Sequence, residues 1–89
     1  MVKTMHYKAY LIVICDNVTN AILSATIWSS PEWEQSRCLD QRTYVAYATS
    51  GPSYAEAKEG IVRAMEHPQS RYHWLLNHLD ERSKPVPSA

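Results

Sequence analysis

A chain of 89 residues forms one domain with a real core and has no room for a second. Apolar residues make up 45% and charged residues 20%, the balance of a folding globular protein rather than a disordered one. Nine basic and nine acidic side chains cancel to zero net charge, which argues against phosphate-dominated nucleic-acid binding, where a basic excess supplies the affinity.

At the N-terminus Lys3 and Lys8 precede the apolar run AYLIVIC in a way that imitates a secretory signal. The run ends at Asp16 and Asn17 without a small-residue cleavage site, so no export is expected and the chain reads as cytoplasmic. The sequon Asn17-Val18-Thr19 is then idle, since glycosylation needs the secretory route. Cys15 and Cys38 lack the close spacing of zinc or redox motifs and read as free thiols in a reducing compartment. No stretch approaches the ~18–20 apolar residues of a membrane span.

Residues 7 to 16, YKAYLIVICD, are rich in β-branched and aromatic residues and run into a turn-forming DN pair, which predicts a strand. Both of its faces are apolar, Leu11 and Val13 on one and Tyr10, Ile12 and Ile14 on the other, so it is expected at the centre of a sheet, covered on both sides. A second strand at about 21 to 29 pairs with it as a hairpin. In SSPEWEQSRCLDQ, Ser30, Pro31 and the acidic Glu32 and Glu34 predict a short helix or turn within 31 to 39. RTYVAYATS predicts a third strand at about 42 to 50, ended by Gly51 and Pro52.

Ser53 with Glu56 is a capping box and opens the first major helix. Tyr54, Ala57, Ile61, Ala64 and Met65 form its apolar stripe. Glu59 and Arg63 pair at i,i+4, and Pro68 forces an end near Glu66 or His67. Gly60 inside it costs ~1 kcal/mol relative to alanine and, with Ala57 and Ala64, suits close approach of a neighbouring backbone. Ser70 caps a second helix to about Arg82 with Tyr72, Leu75, Leu76 and Leu79 as its stripe. The proline-containing stretch 83 to 89 reads as a flexible tail. The expectation is a single α+β domain over 1 to 82: a three-stranded antiparallel sheet with two C-terminal helices packed on one face. Three strands followed by a helix opening GPSYAEA resemble, over about half the chain, the partial ribonuclease-H-like domain of HicB-type antitoxins. The resemblance assigns no residue a role, and a second helix without an intervening strand departs from it.

No chemistry-bearing constellation stands out. His73 and His78 point about 140° apart on a regular helix, so they cannot share one metal ion, and they read with His67 as surface residues. Two glycines, Gly51 and Gly60, exclude a phosphate-binding glycine loop. No cofactor is implied. An enzyme built on Cys38, beside Arg37, lacks any surrounding signature, and a non-enzymatic protein is expected.

Three tryptophans, six tyrosines and no phenylalanine give every aromatic a polar handle, which suits interfaces as well as semi-exposed sheet faces. Trp74 lies about 150° from the apolar stripe of its helix and shares its side with Asn77. The leading expectation is a small regulator or stoichiometric inhibitor that binds a larger protein, and homodimerisation follows if the second sheet face needs a cover. The candidate contact residues are Trp74, Asn77, His78, Arg71, Trp33 and Trp28. The alternative, a nucleic-acid-associated or antitoxin-like protein, uses the sheet tyrosines Tyr44 and Tyr47 with Arg37, Arg42 and Arg71.

Overall fold

The computed structural model describes residues 6–29 and 40–83. Three strands, β1 (Tyr7–Asp16), β2 (Ile22–Trp28) and β3 (Gln41–Gly51), precede one α-helix, α1 (Tyr54–Glu66), and two 3-10 turns, His73–His78 and Glu81–Ser83. The sheet is antiparallel with the order β2-β1-β3, so the most apolar strand is central as expected. The chain is thus a small α+β fold.

The hairpin loop between β1 and β2 is held by Asp16. Its Oδ1 accepts from the amides of Val18 and Thr19, each at 2.8 Å, an Asx turn. Asn20 takes φ 62°, a left-handed conformation that asparagine tolerates. Two irregularities interrupt the ladders. Leu23 is skipped where Ile14 pairs Ser24 and Cys15 pairs Ile22, and Ala46 is skipped where Leu11 pairs Tyr47 and Ile12 pairs Val45. Each is a β-bulge, which adds a residue to one strand and bends it.

Ser53 caps α1 as expected, its hydroxyl accepting from the Glu56 amide at 3.2 Å. The Glu59–Arg63 pair forms at 2.8 Å on the exposed side, worth about 0.3–0.5 kcal/mol. Ala57, Ile61, Val62 and Met65 are the helix's buried residues. They close one core with Ala9, Leu11, Val13 and Cys15 of β1 and Ala25 and Ile27 of β2. Ile12, on the opposite face, is also buried, at 1% exposure. The expected helix or turn at 31 to 39 lies outside the described residues.

The chain after α1 differs from expectation. The second helix is not a long α-helix but the six-residue 3-10 turn His73–His78. Ser70 does not cap it as an α N-cap: its hydroxyl accepts from Tyr72 two residues on, at 3.0 Å, a local turn that competes with helix. The turn ends because the next residue is taken by the sheet. Leu79 bridges Ala25 in parallel and the Asp80 amide donates to the Ala25 carbonyl at 2.8 Å. Ser83, expected at the start of the tail, is buried and accepts from the Ile27 amide at 2.8 Å. Residues 79 to 83 therefore run as a strap along the outer edge of β2.

Gly60 also differs from expectation. A Cβ there would meet nothing nearer than the Thr49 side chain at 3.8 Å, so no backbone presses on it. The close approach is at Gly51, where a Cβ would lie 3.2 Å from the Ala57 backbone nitrogen. Glycine lets the end of β3 touch the first turn of α1.

Candidate functional site

The strap covers β2, whereas no strand among the described residues pairs with the outer edge of β3. Beside that open edge lies a groove of about 490 Å³ lined by Tyr44, Val45, Ala46, Arg71, Tyr72, Trp74 and Leu75. Successive strand residues point to opposite faces. A groove touching three in a row therefore lies along the strand's edge at the Ala46 bulge rather than over one face.

The opposite wall is the start of the 3-10 turn, and its position is fixed by bonds to α1. The His73 Nδ1–H donates to the Met65 carbonyl at 3.0 Å, and the Ser70 amide donates to His67 at 2.9 Å. Tyr72 stacks on Tyr47 of β3 with ring centres 5.0 Å apart, and the Arg71 guanidinium stands 5.8 Å from the Tyr72 ring centre, within cation–π range. With about three residues per 3-10 turn, Tyr72 and Leu75 share one side and Trp74 and Asn77 another. Leu75 is buried, while Trp74 remains 51% exposed. The Trp74 ring meets His78 edge-on, 6.2 Å between centres.

The structure thus brings Trp74 and Arg71 into one groove, with His78 against the tryptophan and Asn77 exposed on the same side. Trp28 is elsewhere: it stands at the end of β2, its Nε1–H donating to Thr26 at 2.7 Å, in a separate cleft shared with Asp80, Arg82 and Ser83. Trp33, Arg37 and Cys38 lie outside the described residues. Tyr44, considered only as a base-stacking residue, and Tyr72, assigned to the buried stripe, are groove walls. Val45 and Ala46 were missed, because no local signal in TYVAYAT marks where a bulge will fall.

Charge in the groove is cationic. Arg71 lines it, and Arg42, opposite Cys15 in the ladder, shares the helix side of β3 with Tyr44. The shifted ionisations lie elsewhere. The Thr19 and Val18 amides hold the Asp16 carboxyl below its ordinary value, Arg82 does the same for Asp80, and burial raises the Tyr54 hydroxyl, which donates to Ile27 at 3.2 Å. Among the described residues no three His, Cys, Asp or Glu side chains are grouped to hold a metal. Cys15 is a free thiol buried in the core, where water and substrates do not reach it. No helix among the described residues is long and apolar enough to cross a membrane. What the groove offers is aromatic surface, a guanidinium and a strand edge that is unpaired among the described residues.

Comparison with protein-family models, curated proteins and solved structures finds no match.

Proposed function

We propose that the protein is a non-enzymatic binding module, a regulator or stoichiometric inhibitor that docks on a larger protein through the groove between β3 and residues 71 to 75. The observation that carries this is Trp74, 51% exposed in a groove that Arg71, Tyr72 and, from the facing strand, Tyr44 also line. Tryptophan, tyrosine and arginine are the residues that most often dominate interface energies, and a half-exposed tryptophan against a histidine edge offers area at little conformational cost. Asn77 and His78 extend the contact beyond the groove. A cytoplasmic setting belongs to this reading, supported by the free thiol of Cys15.

Stoichiometric capture from native lysate, run in parallel with wild type, Trp74→Ala and Arg71→Ala, tests it. The expected result is a protein retained by wild type and lost with Trp74→Ala, while the melting temperature moves by less than about 4 °C, the shift that ~1 kcal/mol produces in a domain of this size. Equal retention by wild type and Trp74→Ala overturns the groove as the docking site.

A second reading rests on the same residues, since Arg42, Arg71, Tyr44, Tyr72 and Trp74 together combine cations with stacking surfaces. It is single-strand nucleic-acid binding, and it predicts affinity for oligonucleotides that falls steeply with salt. Flat titrations at low salt remove it.

A further inference from the structure

The groove between β3 and residues 71 to 75 carries a sign. Arg71 alone among its lining residues has a formal charge, and none of them is acidic. Arg63 and Arg82 have their acids, Glu59 and Asp80, at 2.8 and 2.9 Å. No acidic side chain among the described residues pairs with Arg71 or Arg42, and both are exposed. Arg42 stands two residues before Tyr44 on the same side of β3, about 7 Å along the strand. One unpaired guanidinium therefore lines the groove from the turn, and a second stands just beyond Tyr44 on the strand.

The Arg71 cation is held ready. Its guanidinium lies 5.8 Å from the ring centre of Tyr72, and that ring stacks on Tyr47. The backbone beneath is tied down, since the Tyr72 amide donates to the Ser70 hydroxyl at 3.0 Å and the His73 amide to the Ser70 carbonyl at 3.2 Å. A guanidinium on a fixed backbone loses less freedom when it pairs, and its planar fork takes a carboxylate through two parallel bonds. Around it Trp74, Tyr44 and Val45 leave apolar surface in water. A ligand that covers this surface also strips water from the guanidinium. A carboxylate on that ligand then gains strength from the lower dielectric, whereas a ligand without one leaves a covered charge unpaired, at a cost. The groove thus favours an acid beside an apolar side chain and penalises neutral and basic alternatives.

We propose that the groove takes a short acidic segment of a partner protein. One large apolar side chain of the segment sits between Trp74 and Tyr44, a neighbouring glutamate or aspartate pairs with Arg71, and a second acid reaches toward Arg42. This rests on the reading of the groove as a protein-docking site and names what that site recognises. A peptide carboxylate fits better than a chain of phosphates. Phosphate recognition draws on clusters of cations, and here a single guanidinium lines the groove of a chain with no net positive charge. The volume, about 490 Å³, is that of a small-ligand pocket, so it seats a few side chains rather than a long helix face.

Three acetylated, amidated peptides of glycine and serine test it, each with a central leucine flanked by two glutamates, two glutamines or two lysines, beside an oligothymidylate of similar length. Each is titrated at low salt into the isotope-labelled full-length chain, and the Trp74 indole N–H and the Tyr44 and Val45 amides are followed by NMR. The glutamate peptide is expected to move those signals and to bind about tenfold more tightly than the glutamine peptide, the effect of one hydrogen bond to a charged group. The lysine peptide is expected to bind most weakly. Arg71→Glu is expected to invert the order of the glutamate and lysine peptides, and Arg71→Lys, which keeps the charge but loses the fork, to fall between wild type and Arg71→Glu. The dispersion of the same spectra shows that each variant is folded. Equal binding of the glutamate and glutamine peptides, shifts that map away from the groove, or no binding by any peptide overturns the proposal. Tighter binding of the oligothymidylate overturns it in favour of nucleic acid. Failure of the docking reading is distinct. Lysate capture lost with Trp74→Ala but unchanged with Arg71→Glu leaves a docking site that does not read acid, whereas capture unchanged with Trp74→Ala removes the docking site itself.

Discussion

Asp16 closes the β1–β2 loop with one carboxylate oxygen bonded to two backbone amides, those of Val18 and Thr19. Those amides, Thr19's contributing most, stabilise the charged form and hold the folded pKa below the ordinary 3.8. A group depressed in the folded state contributes stability that is fully present above its unfolded pKa and is lost as pH falls through the folded value. Asp16→Ala is therefore expected to unfold at lower urea than wild type at neutral pH, with the difference shrinking as pH falls below 3.8. Asp80, also depressed, is common to both proteins and cancels. Urea midpoints across that range check this, and a constant gap contradicts it. Asp16 was legible in the sequence as the end of a strand. The exposure of Trp74 was legible too, since it stands away from the buried Leu75 in 3-10 geometry as it does from the leucine stripe of an α-helix. Its partners Tyr44 and Val45 were not, because nothing local to either segment records that a turn after α1 lies beside the edge of β3.

At the scale of elements, α1 and the three strands follow from local signals: a serine cap, an apolar stripe and β-branched runs between turn residues. What failed was the second helix. Its leucines have helical spacing, yet Leu75 is buried under the 3-10 turn and Leu79 at the β2 edge. Tertiary pairing overrode periodicity there, as it commonly does in short segments. The two glycines give opposite predictions. Gly60→Ala has room for its methyl, 3.8 Å from Thr49, and removes a flexible residue from a helix, so it is expected to stabilise by about 0.5–1 kcal/mol. Gly51→Ala drives a methyl to 3.2 Å from the Ala57 nitrogen and must push the helix start away, a cost of about 1 kcal/mol or more. Thermal melts are expected to move in opposite directions by several degrees. A destabilised Gly60→Ala means that the helix and β3 touch there more closely than these distances allow.

At the scale of the whole molecule, the two sheet edges differ among the described residues, and the covered one can be tested at Ser83. Its hydroxyl is the acceptor for the buried Ile27 amide at 2.8 Å, and together with the Asp80–Ala25 bond it ties residues 79 to 83 along β2. Ser83→Ala removes the acceptor and leaves a buried donor unpaired, which costs about 1–3 kcal/mol. The neighbouring Arg82 forms a 2.9 Å ion pair with Asp80 while its side chain is 88% exposed, a pair that water and salt screen. Arg82→Ala is accordingly expected to leave the melting temperature unchanged, and Ser83→Ala to lower it by several degrees. A second consequence separates anchoring from mere stability. Loosening the strap uncovers the β2 edge, and an uncovered strand edge is a template for pairing with another chain. Ser83→Ala is expected to form larger species with rising concentration under conditions where wild type and Arg82→Ala keep one mass. If Ser83→Ala melts lower but retains the wild-type mass, the strap stabilises the fold without guarding the edge.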